Sequence, residues 1–184
     1  MTMNRRRAAI FFIFITFAAL KPVLAATFSA EMNGEKIEFN ADGRKWVLGS
    51  QHHDPDRGIL EYVLPKESVD HWSEIVTINY FKGMKGPDLL TRFVGFAQTG
   101  LKKSCQNINW NELFKDDNSI SYTWNAGKCT KSPSQSEVAR VIRSEQGLYV
   151  LHYASKKVPM PHEKRTVWYS LFTKAVIKPL SPAA

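Results

Sequence analysis

Cys105-Gln-Asn-Ile-Asn-Trp-Asn-Glu-Leu-Phe-Lys-Asp-Asp-Asn-Ser-Ile-Ser-Tyr-Thr-Trp-Asn-Ala-Gly-Lys-Cys129 is the stretch whose reading decides the fold. Ile108, Trp110, Glu112 and Phe114 alternate with Asn107, Asn109, Asn111 and Leu113. Ile120, Tyr122 and Trp124 alternate with Ser119, Ser121, Thr123 and Asn125. A period of two marks half-buried strands, and Lys115-Asp-Asp-Asn118 between them is a turn-forming cluster. Pairing Phe114 with Ile120 sets Trp110 opposite Trp124 and makes the apolar faces coincide. The same register sets Cys105 opposite Cys129. They are the only two cysteines, and in an exported chain such a pair reads as a disulfide. Closing a loop of this size contributes about 3 kcal/mol. The rival metal or redox reading lacks a CxxC spacing.

Export is read from the N-terminus. Arg5, Arg6 and Arg7 precede an apolar run from Ala8 to Leu20, and Pro22 and Val23-Leu-Ala25 follow. A charged region, a short apolar region and a small-residue cleavage site define a signal peptide, here residues 1–25, cut after Ala25 or one residue later. As a helix the run would span about 20 Å, short of the ~30 Å of a hydrocarbon core. No cysteine stands at the cut for lipid attachment. Residues 26–184 are then expected to form one α+β domain, periplasmic or secreted, with no transmembrane span.

Outward from the cystine hairpin, Phe28 to Met32 and Glu35 to Asn40 flank Asn33-Gly34, a two-residue hairpin signal. Trp46–Ser50, Ile59–Leu64 and Ile75–Phe81 read as strands, and Gln51–Gly58 between the first two as a loop. Ser68 is expected to cap one helical turn reaching Trp72. Pro87 opens a helix in which Leu89, Leu90, Phe93, Val94, Phe96, Ala97 and Leu101 recur at helical spacing. Lys102 and Lys103 suit its C-terminal end. Lys131–Ser136 reads as loose chain. Val138–Ser144 and Leu148–Ser155 form a further hairpin. A final helix carries Val167, Trp168, Leu171, Phe172, Ala175 and Val176 as one apolar stripe, ended by Pro179. Short turns between strands predict a mainly antiparallel sheet covered by two amphipathic helices.

This order of elements is similar to small exported α+β domains of the Mog1/PsbP-like type. The segment Glu61-Tyr-Val-Leu-Pro-Lys-Glu-Ser-Val-Asp-His-Trp-Ser-Glu-Ile-Val-Thr77 resembles part of uncharacterised bacterial exported proteins. That resemblance covers a minority of the chain and implies no particular activity.

Charge narrows the partners. The leader holds four basic residues and no acidic ones, so its removal lowers the net charge from +8 to +4. From Ala26 to Leu89 there are seven basic and eleven acidic residues; from Leu90 to Ala184, fourteen and six. The basic second half points to an anionic surface or an acidic protein, with Lys156, Lys157, Lys164 and Arg165 as candidate contacts. Nucleic acid has no motif here, and export argues against it.

Motifs for catalysis are thin. His52, His53 and Asp54 are the densest metal-ligand cluster, weighed against an ordinary turn at Asp54-Pro55; no metal and no cofactor are expected. His162-Glu163 lacks the second histidine of a zinc-protease helix, and Gly83-Met-Lys-Gly86 lacks the spacing of a phosphate loop. His152 shares a strand face with Leu148, Val150 and Ala154, and reads as a core or edge residue. The expectation is an exported, non-enzymatic binding or interaction protein. The alternatives are an exported hydrolase with scattered site residues, or an inhibitor or immunity-like protein. An enzyme would bring flagged groups together in a polar cleft; a binding module would expose an apolar or basic patch.

Overall fold

A computed structural model describes residues 26–130 and 133–180. The expected leader, 1–25, lies outside the described residues. Strands β1 (Thr27–Met32), β2 (Glu35–Asn40), β3 (Val47–His53), β4 (Arg57–Val63) and β5 (Glu74–Lys82) precede helix α1 (Leu89–Ser104). Then come β6 (Cys105–Lys115), β7 (Ser119–Cys129), β8 (Gln135–Arg143), β9 (Gly147–Ser155), helix α2 (His162–Thr173) and β10 (Val176–Pro179). A seven-stranded sheet runs β3-β4-β5-β9-β8-β7-β6, and a three-stranded sheet runs β1-β2-β10. All the strand pairs are antiparallel. The fold is the expected α+β arrangement of two helices and a large antiparallel sheet.

The cystine hairpin follows its predicted register over most of its length. Cys105 opposes and bonds Cys129, and Trp110 opposes Trp124. Near the turn the pairing shifts by one, so Phe114 faces Ser121 and Ile120 faces Lys115. The irregularity after Glu112 inserts one residue. It frees Phe114 to solvent while Ile120 stays buried.

Five other expectations are corrected. The stretch 51–58 is strand rather than loop at both ends, with only residues 54–56 between β3 and β4. Residues 69–71 are bends rather than a helical turn, although Ser68 Oγ accepts the His71 N–H at 3.2 Å as a cap would. Pro87 lies before α1, whose N-cap is Asp88 with φ 54°. Strand β8 begins at Gln135, inside the stretch read as loose. Helix α2 stops at Thr173, and Val176 belongs to β10 beside β2. The β-branched pair Val176-Ile177 favours a strand once β2 offers a free edge.

The small sheet and α2 cover one face of the large sheet. Phe28, Ile37 and Phe39 from the small sheet meet Val76, Ile78, Tyr149, Leu151 and Tyr153, with Trp168 and Phe172 of α2 between them. Trp168 is fully buried and stacks on Tyr153 at 4.3 Å, with Phe28 and Trp46 near its edges. The approach is close: a Cβ on Gly58 would press on the end of the Met32 side chain, which would have to shift to admit it. Arg140 reaches across from β8, donating to the Phe172 carbonyl at 2.6 Å, and so satisfies the C-terminal end of α2.

The opposite face has two smaller covers. Helix α1 packs Leu89, Leu90 and Val94 onto Ile120, Tyr122, Val141, Leu148 and Val150. Val69 and Trp72, from the segment joining β4 to β5, pack on Val63, Ile75 and Ala154. Between these covers the register lines up Tyr122, Ala139, His152, Thr77 and Glu61 across five strands. His152, Thr77 and Glu61 remain half-buried.

Candidate binding site

The weak metal candidates His52, His53 and Asp54 do not converge on one point. His52 and His53 are neighbours at the end of β3, so their side chains leave on opposite faces. His52 Nε2 stands 4.0 Å from Asp54 Oδ2, and His53 Nδ1 lies 3.3 Å from the Arg57 carbonyl. Asp54 accepts the backbone N–H groups of Asp56 and Arg57 at 2.9 and 2.8 Å. Those bonds hold its carboxyl below the usual range, whereas burial acts the other way. This is an Asx turn doing structural work. Among the described residues no three His, Cys, Asp or Glu side chains converge on a point.

The four basic candidates have different fates. Lys164 turns inward to Glu74 Oε1. Lys156 lies over the Trp72 ring, 4.9 Å from its centroid. Lys157 is exposed and Arg165 half-buried, and neither forms an ion pair among the described residues. Only the last two present an uncommitted charge, because Glu74 and Trp72 occupy the others.

Glu74 itself is nearly buried. Arg44 Nη2 donates to its Oε2 at 2.6 Å and Tyr153 OH donates to the same oxygen at 2.7 Å. Burial opposes its ionisation, but the bonds from Arg44, Lys164 and Tyr153 outweigh it and hold the carboxyl down at about 2. Every partner is internal, so this cluster reads as architecture.

A groove unforeseen in the sequence lies at the start of α1. Phe81, Gly83, Met84, Leu89, Phe93 and Phe96 line a cavity of about 770 Å³. Leu89, Phe93 and Phe96 stand at i, i+4 and i+7, one ridge of the helix. Phe93 meets Phe81 at 5.5 Å, whereas Phe96, expected in the buried stripe, is 81% exposed. Lys85 and Arg92 also line the groove and are exposed. From Lys82 to Ser104 the chain carries five basic residues and one acid, Asp88. The readable signal was position: at 3.6 residues per turn Phe96 falls at the outer edge of the apolar stripe, beyond Leu89 and away from Leu90 and Val94.

The open strip of the same sheet face carries a second polar group. His152 Nδ1 is 2.7 Å from Glu137 Oε1, and both side chains are largely buried. Burial and the nearby Glu137 charge push the Tyr122 phenol far up, keeping it neutral. Glu61 is also pushed up, chiefly by burial, with the Asp70 charge adding to it. The expected core role of His152 is thus met by a carboxylate partner rather than by apolar packing.

Residues 34–178 match an uncharacterised bacterial protein family, and the chain belongs to that family. No curated protein matches it. No described helix is long and apolar enough to cross a membrane.

Proposed function

We propose that this is an exported, non-enzymatic binding protein that uses the α1 groove to hold an anionic amphiphile. The observation that carries the reading is Phe96, a large apolar side chain 81% exposed beside a groove rimmed by Lys85 and Arg92. Exposed apolar surface with like-charged flanks marks a binding surface. The groove would take the apolar part, and the cations the acidic head, each exposed charge adding about 1 kcal/mol or less near an anionic membrane. The cystine supports an oxidising, non-cytoplasmic location. The Arg5–Ala25 sequence supports delivery there with the leader removed, and intact-mass measurement of exported protein should give a chain beginning at Ala26 or Thr27. The order of elements, similar to Mog1/PsbP-like domains, suits a sheet scaffold presenting such a surface.

Sedimentation with anionic and neutral vesicles tests the reading. Retention should appear on anionic vesicles at low salt, fall as salt rises, and drop at least tenfold in Phe96→Ala and Arg92→Glu. Equal retention by these variants, or none by the unmodified protein, would remove it.

An exported hydrolase is the second reading, and one observation favours it. The His152–Glu137 pair has the geometry of a base and its orienting carboxylate, on an open strip of sheet. Loss of esterase or amidase turnover in His152→Ala would support that reading; absence of turnover in the unmodified protein would end it.

A further inference from the structure

A separate cavity of about 370 Å³ lies where the β1–β2 turn, the β8–β9 turn and β10 meet. Leu180 N–H donates to the Gly34 carbonyl at 2.7 Å, tying β10 to the first turn. Glu35 lines the cavity although only 4% of it is exposed. Its Oε1 accepts the Gln146 N–H at 3.3 Å. Its Oε2 is buried with no hydrogen-bond partner among the described residues. An unpartnered buried carboxylate oxygen is costly, and proteins carry few of them.

Seven further buried side-chain atoms among the described residues share this condition, four of them on Arg143, Tyr80, Tyr149 and Asn33. Arg143, also lining the cavity, has its Nε buried and unpartnered. The hydroxyls of Tyr80 and Tyr149 are buried and unpartnered too, with Asn33 close to Tyr80. Both rings are fully buried, 4.8 Å apart. Burial pushes both phenols up, and the Glu35 charge adds to it. Glu35 and Arg143 both line the cavity and form no ion pair with each other.

The charges select the class of ligand. Glu145 also lines the cavity and is exposed, so a simple anion on Arg143 would face two carboxylates, and a simple cation on Glu35 would face Arg143. A molecule carrying both charges, one at each end, meets both. We infer that this cavity is a binding site for a small zwitterion of the free amino acid class, its ammonium on the Glu35 carboxylate and its carboxylate on Arg143. Asn118 and Ser144, also in the lining, offer hydrogen bonds to either end. The volume falls at the small end of the ~300–1,000 Å³ seen for ligand pockets, and Ile177 provides an apolar wall.

Calorimetric titration and thermal melts of the purified protein test this with glycine and alanine as probes, against methylammonium and acetate as single-charge controls. The expected result is a concentration-dependent rise in melting temperature with the amino acids and none with either control. Glu35→Gln keeps the shape of the side chain and should weaken binding at least tenfold. Arg143→Gln, at a less buried position, should do the same and decides the matter if Glu35→Gln does not fold. His52→Ala, remote in sequence and on an exposed strand end, should leave binding unchanged. No response to the amino acids, an equal response to methylammonium or acetate, or undiminished binding by a folded Arg143→Gln would overturn the assignment.

Discussion

The two faces of the seven-stranded sheet are built from alternate residues of the same strands but are closed by different means. One face is covered by the small sheet and α2, and its centre is a run of touching aromatic rings: Phe28, Trp46, Tyr153, Trp168, Phe172. The other is covered in two places by α1 and by Val69 with Trp72, and between them His152, Thr77 and Glu61 still meet solvent. A face that needs only to be stable can be sealed with large apolar groups. A face left partly open keeps polar groups at cost, and that is where a ligand can reach. The first face therefore carries the larger share of the stability, and the proposed α1 groove and the His152 strip both lie on the second.

The comparison can be broken most directly at its largest contrast. Trp168→Ala removes the central ring of the sealed face and should cost about 4 kcal/mol, in the range for buried aromatics. Urea denaturation would read this as a lower midpoint with an unchanged slope. A cost near 1 kcal/mol would mean that the sealed face does not dominate stability.

Next in size is Glu74→Gln, on the rim of the sealed face. It leaves Arg44 and Lys164 facing a neutral amide and should cost about 3 kcal/mol. The same carboxylate gives a pH signature. Its folded value, about 2, lies below its ordinary 4.5. The stabilisation is therefore complete above about pH 4.5 and lost as pH falls through about 2. The variant should show a flatter acid-unfolding profile over that interval. A profile identical to that of the unmodified protein would show that other carboxylates govern acid unfolding.

Replacing both Cys105 and Cys129 by Ser opens the end of the hairpin beside α1, with an expected loss of about 2–3 kcal/mol. Smallest of all is Phe96→Ala on the open face. It should change stability by less than about 0.5 kcal/mol, as for exposed positions generally, while removing most of the vesicle retention. A large loss of stability there would make Phe96 a structural residue and blur the distinction between the faces.

Much of the fold was legible because its signals were local and redundant. The cystine hairpin had alternation, turn chemistry and cysteine spacing in agreement, and Asn33-Gly34 marked the first hairpin without ambiguity: both residues take positive φ, 50° and 78°. What failed depended on partners distant in sequence. Val176 continues a helical stripe on paper, yet it is a strand because β2, 140 residues earlier, presents an edge to it. His52 and His53 read as loop because polar residues in an edge strand lack the apolar alternation that marks one. Of the basic candidates, Lys164 was drawn to Glu74 across 90 residues, which no local pattern announces. Glu35 reads in sequence as an ordinary polar strand residue. Its burial follows from Pro179 pairing beside it on β2 and from the turn at Gln146 closing over it.

Strand β10 has a consequence for the order of events in the life of the chain. It lies against β2 and so joins residue 177 to residue 37. A polypeptide that emerges N-terminus first, from a ribosome or through a pore, shows its opening hairpin to the outside long before the strand that borders it arrives. Until residue 179 has cleared the exit, β2 has an unclaimed row of amide and carbonyl groups, and such an edge is a template for pairing with other chains. Long-range pairing of this kind is also slow to form. The last segment to appear therefore acts as a latch, and the molecule is most open to capture by a chaperone, or to misassembly, in the interval before that latch closes.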